Sequence, residues 1–273
     1  MEYEQRFHWP ALTPAVRWLL LANTAVFLLN AVLVGATGDP DRLAQWLGVS
    51  GTKLLEGWGL GVVRLVTYQF VHAFLPPFHF LFNMLVLYFF GTWVERGIGR
   101  RRFFALYLTG GVVGALVEIG VWLLLEGRAG MTVVGASGAC YCVTIYAACM
   151  DPRAIVYLIV FPVQMRVLAW ILVGLGAYEL YASIVLGVTG GVAHGCHLGG
   201  AFWGYLAYRQ RIEPVRLLDR LSEWRERRKI ARRAEDQATL DQLLEKVHRQ
   251  GLSSLTPAER RFLDRRSRDL RGR

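Results

Sequence analysis

Long apolar segments, each close to the length of a bilayer crossing, constrain this chain more than any other feature. An α-helix needs roughly 17–25 apolar residues to cross a hydrocarbon core. Polar connectors separate six segments of about this length, near residues 16–36, 78–94, 103–125, 132–150, 167–186 and 190–208. Because lipid offers no hydrogen-bond partners to the backbone, such segments must be helical. We therefore predict an all-α membrane protein with six transmembrane helices.

The composition agrees with this prediction. Of the 273 residues, 54% are hydrophobic and 19% are charged, which is too apolar for an ordinary soluble domain. No cleavable signal peptide is apparent ahead of the first span, which we interpret as a retained helix. All four cysteines lie in apolar runs, so we interpret them as packing residues and not as disulfides or zinc ligands.

The positive charge is unevenly distributed and predicts an orientation. The net charge is +10, and arginines follow the second span, flank the connection between the fourth and fifth, and crowd the tail after Arg209. The connections after the first, third and fifth spans carry far fewer. By the positive-inside rule, the basic connections and both termini are expected in the cytoplasm. We accordingly predict a multi-pass protein of the cell (plasma or inner) membrane.

Polar residues on three of the predicted spans lie at one depth. In the expected orientation, the second, fourth and sixth spans begin at the outer face. Ser137 and His197 then lie ~8 and ~10 Å below their span starts, at 1.5 Å per residue. His79 and Asn83 are four residues apart, so they share one face near the same rim. Polar side chains at such depth usually face a bundle interior or a water-filled cavity.

These residue types can together perform acyl-transfer chemistry. Ser137 would attack a carbonyl carbon, while His197 would accept its proton and return it to the leaving amine. Asn83, His79 and the Ser137 backbone N–H would donate to the oxyanion. Gly135, one of the glycines beside the serine, leaves room for a peptide backbone.

Other interpretations of these residues stay open at this point. A single His or Asn in a membrane helix often only bonds to a neighbouring helix, and a short Gly-Ser run is common where helices pack. His79, His194 and His197 could serve a metal-dependent enzyme, although no carboxylate or thiolate is evidently placed to complete a metal site. Glu118 or Glu179 could orient the histidine as the acid of a triad.

Three motifs resemble those of the rhomboid family of intramembrane serine proteases. The second span, HFLFNMLVLYFFG followed by VERGIG, resembles that family's H-x-x-x-N segment. GASGACY is similar to its G-x-S-G nucleophile motif, and AHGCHLGGAFWG to its sixth-span A-H-x-x-G-x-x-x-G motif. The resemblance covers about residues 13–208, with the motifs in the family's order and on the expected spans.

The resemblance implies a rhomboid bundle of bacterial type with a catalytic dyad of Ser137 and His197, and no acid, metal or cofactor. It also implies an oxyanion hole formed by His79, Asn83 and the backbone near Gly135. Under this reading, Glu118 and Glu179 have structural hydrogen-bonding roles.

The resemblance also identifies residues that support the dyad. His197, and not His194, is followed by glycines at the motif's spacing, Gly200 and Gly204. By removing side chains, these glycines would let the fourth and sixth spans approach closely. Tyr141 corresponds to an aromatic residue that packs against the catalytic imidazole, while an ordinary core aromatic remains the alternative.

The activity implied is that of a serine endopeptidase cleaving single-span membrane proteins near the outer face. Substrates would reach the site laterally, past the fifth span, and would unwind locally because a helix keeps its carbonyls bonded. The alternative function is a catalytically silent rhomboid-like protein that binds membrane clients. Silent relatives commonly lose the serine or the histidine, and both are present here.

Three regions are predicted: a six-span protease domain (1–209), a basic amphipathic linker (210–235) and a small cytoplasmic helical module (236–273). The linker is expected to lie on anionic inner-leaflet lipids, with a solvated linker helix as the alternative. Its apolar side is formed by Leu217, Leu218, Leu221 and Trp224.

The C-terminal module carries a helix-start signal. Thr256, Pro257 and Glu259 supply the cap, the first-turn proline and the reciprocal acid of a capping box. The module resembles one that follows some bacterial rhomboid domains. We expect no nucleic-acid partner, because its arginines form no recognised base-reading motif.

Overall fold

The structure is a computed structural model that describes residues 11–55, 61–125, 132–158, 161–186, 192–212, 228, 237–251, 254–261 and 263. The chain divides into two compact units, 1–215 and 216–273. The amphipathic face predicted for the linker falls on residues outside the described ranges.

The first unit is a helical bundle. Its α-helices are α1 (Pro14–Thr37), α2 (Arg42–Leu47), α3 (Gly51–Leu55), α4 (Arg64–Thr67), α5 (Phe78–Val86), α6 (Thr92–Ile98), α7 (Arg100–Leu125), α8 (Ser137–Met150), α9 (Met165–Val185) and α10 (His194–Arg209). A 3-10 turn, Tyr68–Phe70, follows α4, and a π-helical turn, Leu87–Gly91, makes α5 and α6 one continuous rod. The prediction of an all-α membrane helix bundle is confirmed.

Four of the described helices are long and apolar enough to cross a membrane: α1, the α5–α6 rod, α7 and α9. The other two predicted spans are shorter, with 14 residues in α8 and 16 in α10. At 1.5 Å per residue these helices are ~21 and ~24 Å long, less than the ~30 Å of a typical hydrocarbon core. A count of six crossings depends on these two, and it remains a prediction.

The predicted start of the fourth span is wrong by five residues. Residues 132–136 are not helical, and α8 begins at Ser137. Val133 instead pairs with Val49 through two backbone hydrogen bonds of 2.7 and 3.1 Å. Gly135 has a φ of 116°, which a right-handed helix does not allow. Ser137 therefore lies at the first residue of a helix and not within a longer one.

The interfacial segment before the fifth span forms a short antiparallel hairpin. Strand β1 (Ile155–Leu158) pairs with β2 (Phe161–Gln164), and Ile155 lies opposite Gln164. The hairpin leads directly into α9. One face of the hairpin, with Ile155 and Phe161, is exposed, while Val156 and Val163 on the other face pack against the core of the bundle.

Helix α8 lies at the centre of the bundle, in contact with α7, α9 and α10. Nine of its 14 residues are buried, and most of the nine are small. Small side chains allow neighbouring helix backbones to approach closely where lipid supplies no hydrophobic drive to associate. All four cysteines are free, and three are buried, as expected for packing residues.

A buried glutamate caps the N-terminus of α1. The Glu95 carboxylate, on α6, accepts hydrogen bonds from the backbone N–H groups of Ala15 and Val16, each at 2.9 Å, and from the Thr13 hydroxyl. The first N–H groups of a helix have no intrahelical partner. Glu95 therefore caps α1 from a distant part of the chain.

The second unit contains helical residues 237–250 and 257–261. The predicted capping box is confirmed: the Thr256 N–H donates to Glu259 at 2.7 Å, and the Glu259 N–H donates to the Thr256 hydroxyl at 3.3 Å. The Lys246 ammonium also donates to Glu259, at 2.9 Å. Because Lys246 lies on the preceding helix, this ion pair joins the two helical segments.

Candidate active site

The structure brings Ser137 and His197 together. The Ser137 Oγ lies 2.9 Å from His197 Nε2, within hydrogen-bond distance. Ser137 is the first residue of α8 and His197 lies in the first turn of α10. Two helix starts therefore present the pair at the same end of the bundle.

The imidazole of His197 is held by an aromatic ring. Tyr141, one turn beyond Ser137 on α8, stacks on it with centroids 4.4 Å apart and an interplanar angle of 6°. Among the described residues, His197 Nδ1 has no hydrogen-bond partner. No carboxylate in this part of the chain therefore bonds to the imidazole as the acid of a triad would.

Glycines on α10 set the distance between the two helices. A Cβ atom built on Gly200 would lie 2.0 Å from the Gly138 carbonyl oxygen, and one on Gly204 would lie 2.3 Å from the Cys142 oxygen. Neither position tolerates a side chain without separating α8 from α10. Gly199 faces α7 instead, where its Cβ would lie 2.8 Å from Val117.

The predicted oxyanion residues border the same cavity as the dyad. The Asn83 amide donates one N–H to the His79 carbonyl oxygen at 2.9 Å, which leaves its second N–H for another acceptor. As the first residue of α8, Ser137 also has a backbone N–H with no intrahelical partner. The side chains of His79 and Asn83 line the cavity together with Ser137.

The role of Gly135 differs from the prediction. Its N–H donates to the Tyr68 carbonyl oxygen at 3.0 Å, so that N–H is not available to an oxyanion. A Cβ on Gly135 would lie 2.5 Å from His79 Cε1. Gly135 therefore makes space for the His79 imidazole and permits the left-handed turn before Ser137.

A buried histidine that the motifs do not identify supports this turn. His72 Nε2 accepts a hydrogen bond from the Ala136 N–H at 3.3 Å, directly before Ser137. Its ring also lies against His79, with centroids 5.3 Å apart. The only sequence signal is a polar side chain in an otherwise apolar stretch before the second span.

Two carboxylates hold the start of the helix that carries His197. Glu118, a buried residue of α7, accepts from the Cys196 N–H at 2.9 Å and from the Trp122 indole N–H at 2.6 Å. Glu179, on α9, lies 3.0 Å from His194 Nδ1. The first caps the helix backbone, and the second joins α9 to α10 beside the dyad. The Glu118 contacts agree with the structural hydrogen-bonding role implied for that acid.

The dyad opens into a cavity of about 640 Å³. Its walls are mostly apolar, with Phe82 and Val86 from α5 and Leu172 from α9. A few convergent polar groups in an apolar cavity are typical of a ligand or active site. The cavity lies between α5 and α9, the side on which lateral access is predicted.

The described residues contain no group of three or more His, Cys, Asp or Glu side chains that could hold a metal ion. The rings of His194 and His197, two of the three histidines that the metal hypothesis requires, lie edge to face with centroids 6.1 Å apart. The arrangement in this part of the chain does not support the metal-enzyme interpretation.

Comparison with known families gives two matches. Residues 60–211, more than half of the chain, match the Rhomboid domain. Residues 226–269 match a family of unknown function, DUF6576.

Individual relatives match the membrane region. Presenilin-associated rhomboid-like protein A, mitochondrial, from Danio rerio is 34% identical over 136 residues, covering 49% of this chain and 34% of the relative. Rhomboid protein 1, mitochondrial, from Saccharomyces cerevisiae is 31% identical over 137 residues, covering 47% and 36%.

RHOMBOID-like protein 12, mitochondrial, from Arabidopsis thaliana is 29% identical over 160 residues, covering 53% of this chain and 45% of the relative. The chain thus spans between about a third and a half of the length of these curated relatives. The match to the Rhomboid domain coincides with the helices that carry the serine, the histidine and the asparagine. The chain belongs to the rhomboid family.

Proposed function

We propose that this protein is an intramembrane serine endopeptidase that cleaves transmembrane segments of single-span membrane proteins near the outer face. The observation that carries the proposal is the 2.9 Å contact between Ser137 Oγ and His197 Nε2. A serine hydroxyl becomes a useful nucleophile when a base within hydrogen-bond distance accepts its proton.

The reaction would proceed in two acyl-transfer steps. Ser137 Oγ bonds to the scissile carbonyl carbon while His197 Nε2 takes the hydroxyl proton. When the C–N bond breaks, the imidazolium returns this proton to the leaving amine, and the acyl group stays on Ser137. A water molecule then transfers one proton to His197 and attacks the ester, and the proton returns to Ser137 Oγ as the carboxylic product leaves.

The negative charge that develops on the carbonyl oxygen needs donors already in position. The Ser137 backbone N–H, the second N–H of the Asn83 amide and the His79 imidazole border the cavity beside the nucleophile. Tyr141 stacking keeps the His197 ring in the orientation that faces Ser137. Donors fixed by the fold require no reorganisation during the reaction.

Transmembrane substrates would enter between α5 and α9. The apolar side chains of Phe82, Val86 and Leu172 suit the apolar residues of a membrane segment. A helical substrate must unwind at the cleavage point, and small or helix-breaking residues lower that cost. The partners in this proposal are transmembrane substrates and the surrounding bilayer, whose anionic inner-leaflet lipids would contact the basic tail of this chain.

The proposed location is the cell membrane, with both termini on the cytoplasmic side. This orientation is supported by the basic residues after the second span and around the hairpin, because positive charges are retained in the cytoplasm. The mitochondrial location in the names of the relatives belongs to those proteins. Cell fractionation tests the location. Labelling of a single cysteine introduced at each terminus, by a reagent that does not cross the membrane of intact cells, tests the orientation.

A fluorophosphonate probe tests the enzymatic function on the full chain in detergent. Labelling of the wild type, lost in Ser137→Ala and retained in Ser183→Ala, is the expected result. Ser183 is a buried serine of α9 outside the cavity, so it controls for loss of a buried hydroxyl. Absence of labelling in a folded wild type would favour the silent client-binding function instead.

A further inference from the structure

A second cavity lies at the end of the bundle opposite the dyad. It has a volume of about 460 Å³, and Tyr146 and Tyr208 are among its lining residues. Tyr146 lies nine residues beyond Ser137 on α8, and Tyr208 lies eleven residues beyond His197 on α10. At 1.5 Å per residue these separations are ~14 and ~16 Å along the helices. The cavity is therefore distinct from the candidate active site.

Positive charge dominates the lining of this second cavity. Arg102, Arg209 and Arg211 all contribute to it, and none of the described residues that line it is acidic. Within the described part of the chain, the guanidinium groups of Arg209 and Arg211 have no carboxylate partner. The exposed guanidinium groups of Arg209 and Arg211 repel each other at this cavity, and a bound anion would offset that repulsion.

Arg211, which lines the cavity, has an unusual backbone conformation. Helix α10 ends with the N–H of Arg211 bonded to the Tyr208 oxygen (3.2 Å) and the N–H of Ile212 bonded to the Ala207 oxygen (3.0 Å). This is the Schellman arrangement, in which the left-handed position is usually glycine. Arg211 occupies it with a φ of 49°. A strained non-glycine residue at a ligand-sized cavity is a reason to test for function.

The remaining lining supplies donors and apolar contacts. Tyr146 and Tyr208 have their rings edge to face, 5.5 Å apart, and each carries a hydroxyl that can donate to an anion. Ile98, Leu106 and Ile212 form the apolar part of the wall. A site that has both hydrogen-bond donors and an apolar wall suits a ligand in which a charged group is attached to an apolar part.

We propose that this cavity binds a phosphate-bearing anion, held by the guanidinium groups of Arg102, Arg209 and Arg211. Arginine suits this ligand because its planar fork of N–H groups matches phosphate oxygens. The phosphate could belong to the headgroup of an anionic phospholipid or to a free phosphate ion. The apolar wall and the position at the helix ends favour the lipid headgroup.

The test uses the purified full chain in a non-ionic detergent. Thermal unfolding is followed while dihexanoylphosphatidylglycerol, dihexanoylphosphatidylcholine or inorganic phosphate is added, because a ligand that binds the folded state raises the unfolding temperature. The Arg209→Gln/Arg211→Gln variant removes two charges from the cavity. The matched control, Arg100→Gln/Arg153→Gln, removes two exposed arginines that do not line it.

Wild type and control should bind the phosphatidylglycerol equally, while the cavity variant should bind it ~25-fold more weakly, at roughly fivefold per arginine. A response to phosphatidylglycerol but not to inorganic phosphate would identify a lipid headgroup as the source. An equal, arginine-dependent response to inorganic phosphate would identify free phosphate. An equal response to phosphatidylcholine, or equal losses in the two variants, would overturn the proposal.

The Arg211→Gly variant separates binding from folding. Glycine occupies the left-handed position without the steric cost that arginine incurs. The unliganded variant should therefore unfold at the same or a higher temperature than the wild type, yet lose about fivefold in affinity for the anion. A lower unfolding temperature together with unchanged affinity would show that Arg211 serves the fold and not a ligand. Ser137→Ala should bind as the wild type does.

Discussion

Ser137 Oγ and His197 Nε2 lie 2.9 Å apart, although 60 positions separate the two residues in the chain. Close packing of α8 against α10 makes this contact possible, and glycines make that packing possible. The proposed chemistry therefore depends on residues that carry no reactive group.

The first prediction concerns the dyad itself. Ser137→Ala and His197→Ala should each lower peptide-bond hydrolysis by at least ~10³-fold, because groups that act as a unit fail together. For the same reason, the double variant should be no slower than either single variant. Hydrolysis of a transmembrane substrate in proteoliposomes measures all three. If the loss of rate in the double variant equalled the product of the two single losses, the two residues would act independently.

The second prediction concerns the contact between helices. In Gly200→Val, the new side chain collides with the Gly138 carbonyl, which a Cβ would approach to 2.0 Å. Overpacking of this kind costs roughly 1–3 kcal/mol or more, and the dyad should separate. Gly174→Val on α9 is the matched control, because nothing lies within 4 Å of a Cβ there. Unfolding temperature and probe labelling should fall for Gly200→Val alone.

The third prediction concerns the acid that caps α10. Glu118→Ala leaves the N–H groups of Cys196 and Trp122 without their acceptor, at a cost of about 1–3 kcal/mol. The variant should be less stable and should react more slowly with the fluorophosphonate. Glu118→Gln keeps an acceptor oxygen and should recover part of both losses. If Glu118→Ala matched the wild type in stability and labelling rate, the capping role would be wrong.

The fourth prediction concerns the oxyanion. Asn83→Ala should lower the catalytic rate by about 10²–10³-fold, as expected for removal of one oxyanion donor. Asn23→Ala is the control, because Asn23 is also buried and donates to its own helix, to the Leu19 oxygen at 2.8 Å. Asn23 does not line the cavity. Equal rate losses per folded molecule in the two variants would indicate a structural role for Asn83.

The fifth prediction concerns pH and the C-terminal module. Hydrogen bonds from the Thr256 N–H and from Lys246 lower the pKa of Glu259 below that of a free glutamate. Because the folded pKa is the lower one, the stabilisation is complete above the free value of about 4.3 and is lost as pH falls through the folded pKa.

Hydrogen exchange of the backbone amides of residues 258–261 in the full chain, corrected for intrinsic rates, measures this effect. Protection should decrease below about pH 4 in the wild type. In Glu259→Gln, protection should be weaker at neutral pH and should not change with acidification over the same range. A wild-type profile that is flat in acid would contradict the assignment.

Local patterns in the sequence predict much of the bundle and of the site. Apolar runs of spanning length locate the helices, because lipid requires the backbone to satisfy its own hydrogen bonds. His79 and Asn83 have the spacing of residues on one helix face, and so do His197 and its glycines. The sequence alone therefore predicts these faces. The signal at Thr256 and Glu259 is equally local.

The tertiary structure decides what no local pattern contains. The start of α8 at Ser137 follows from the pairing of Val133 with Val49, more than eighty residues earlier. The cap that Glu118 places on α10 and the bond from Ala136 to His72 join residues far apart in the chain. Such contacts arise when packed helices bring distant polar groups together, so sequence periodicity cannot reveal them.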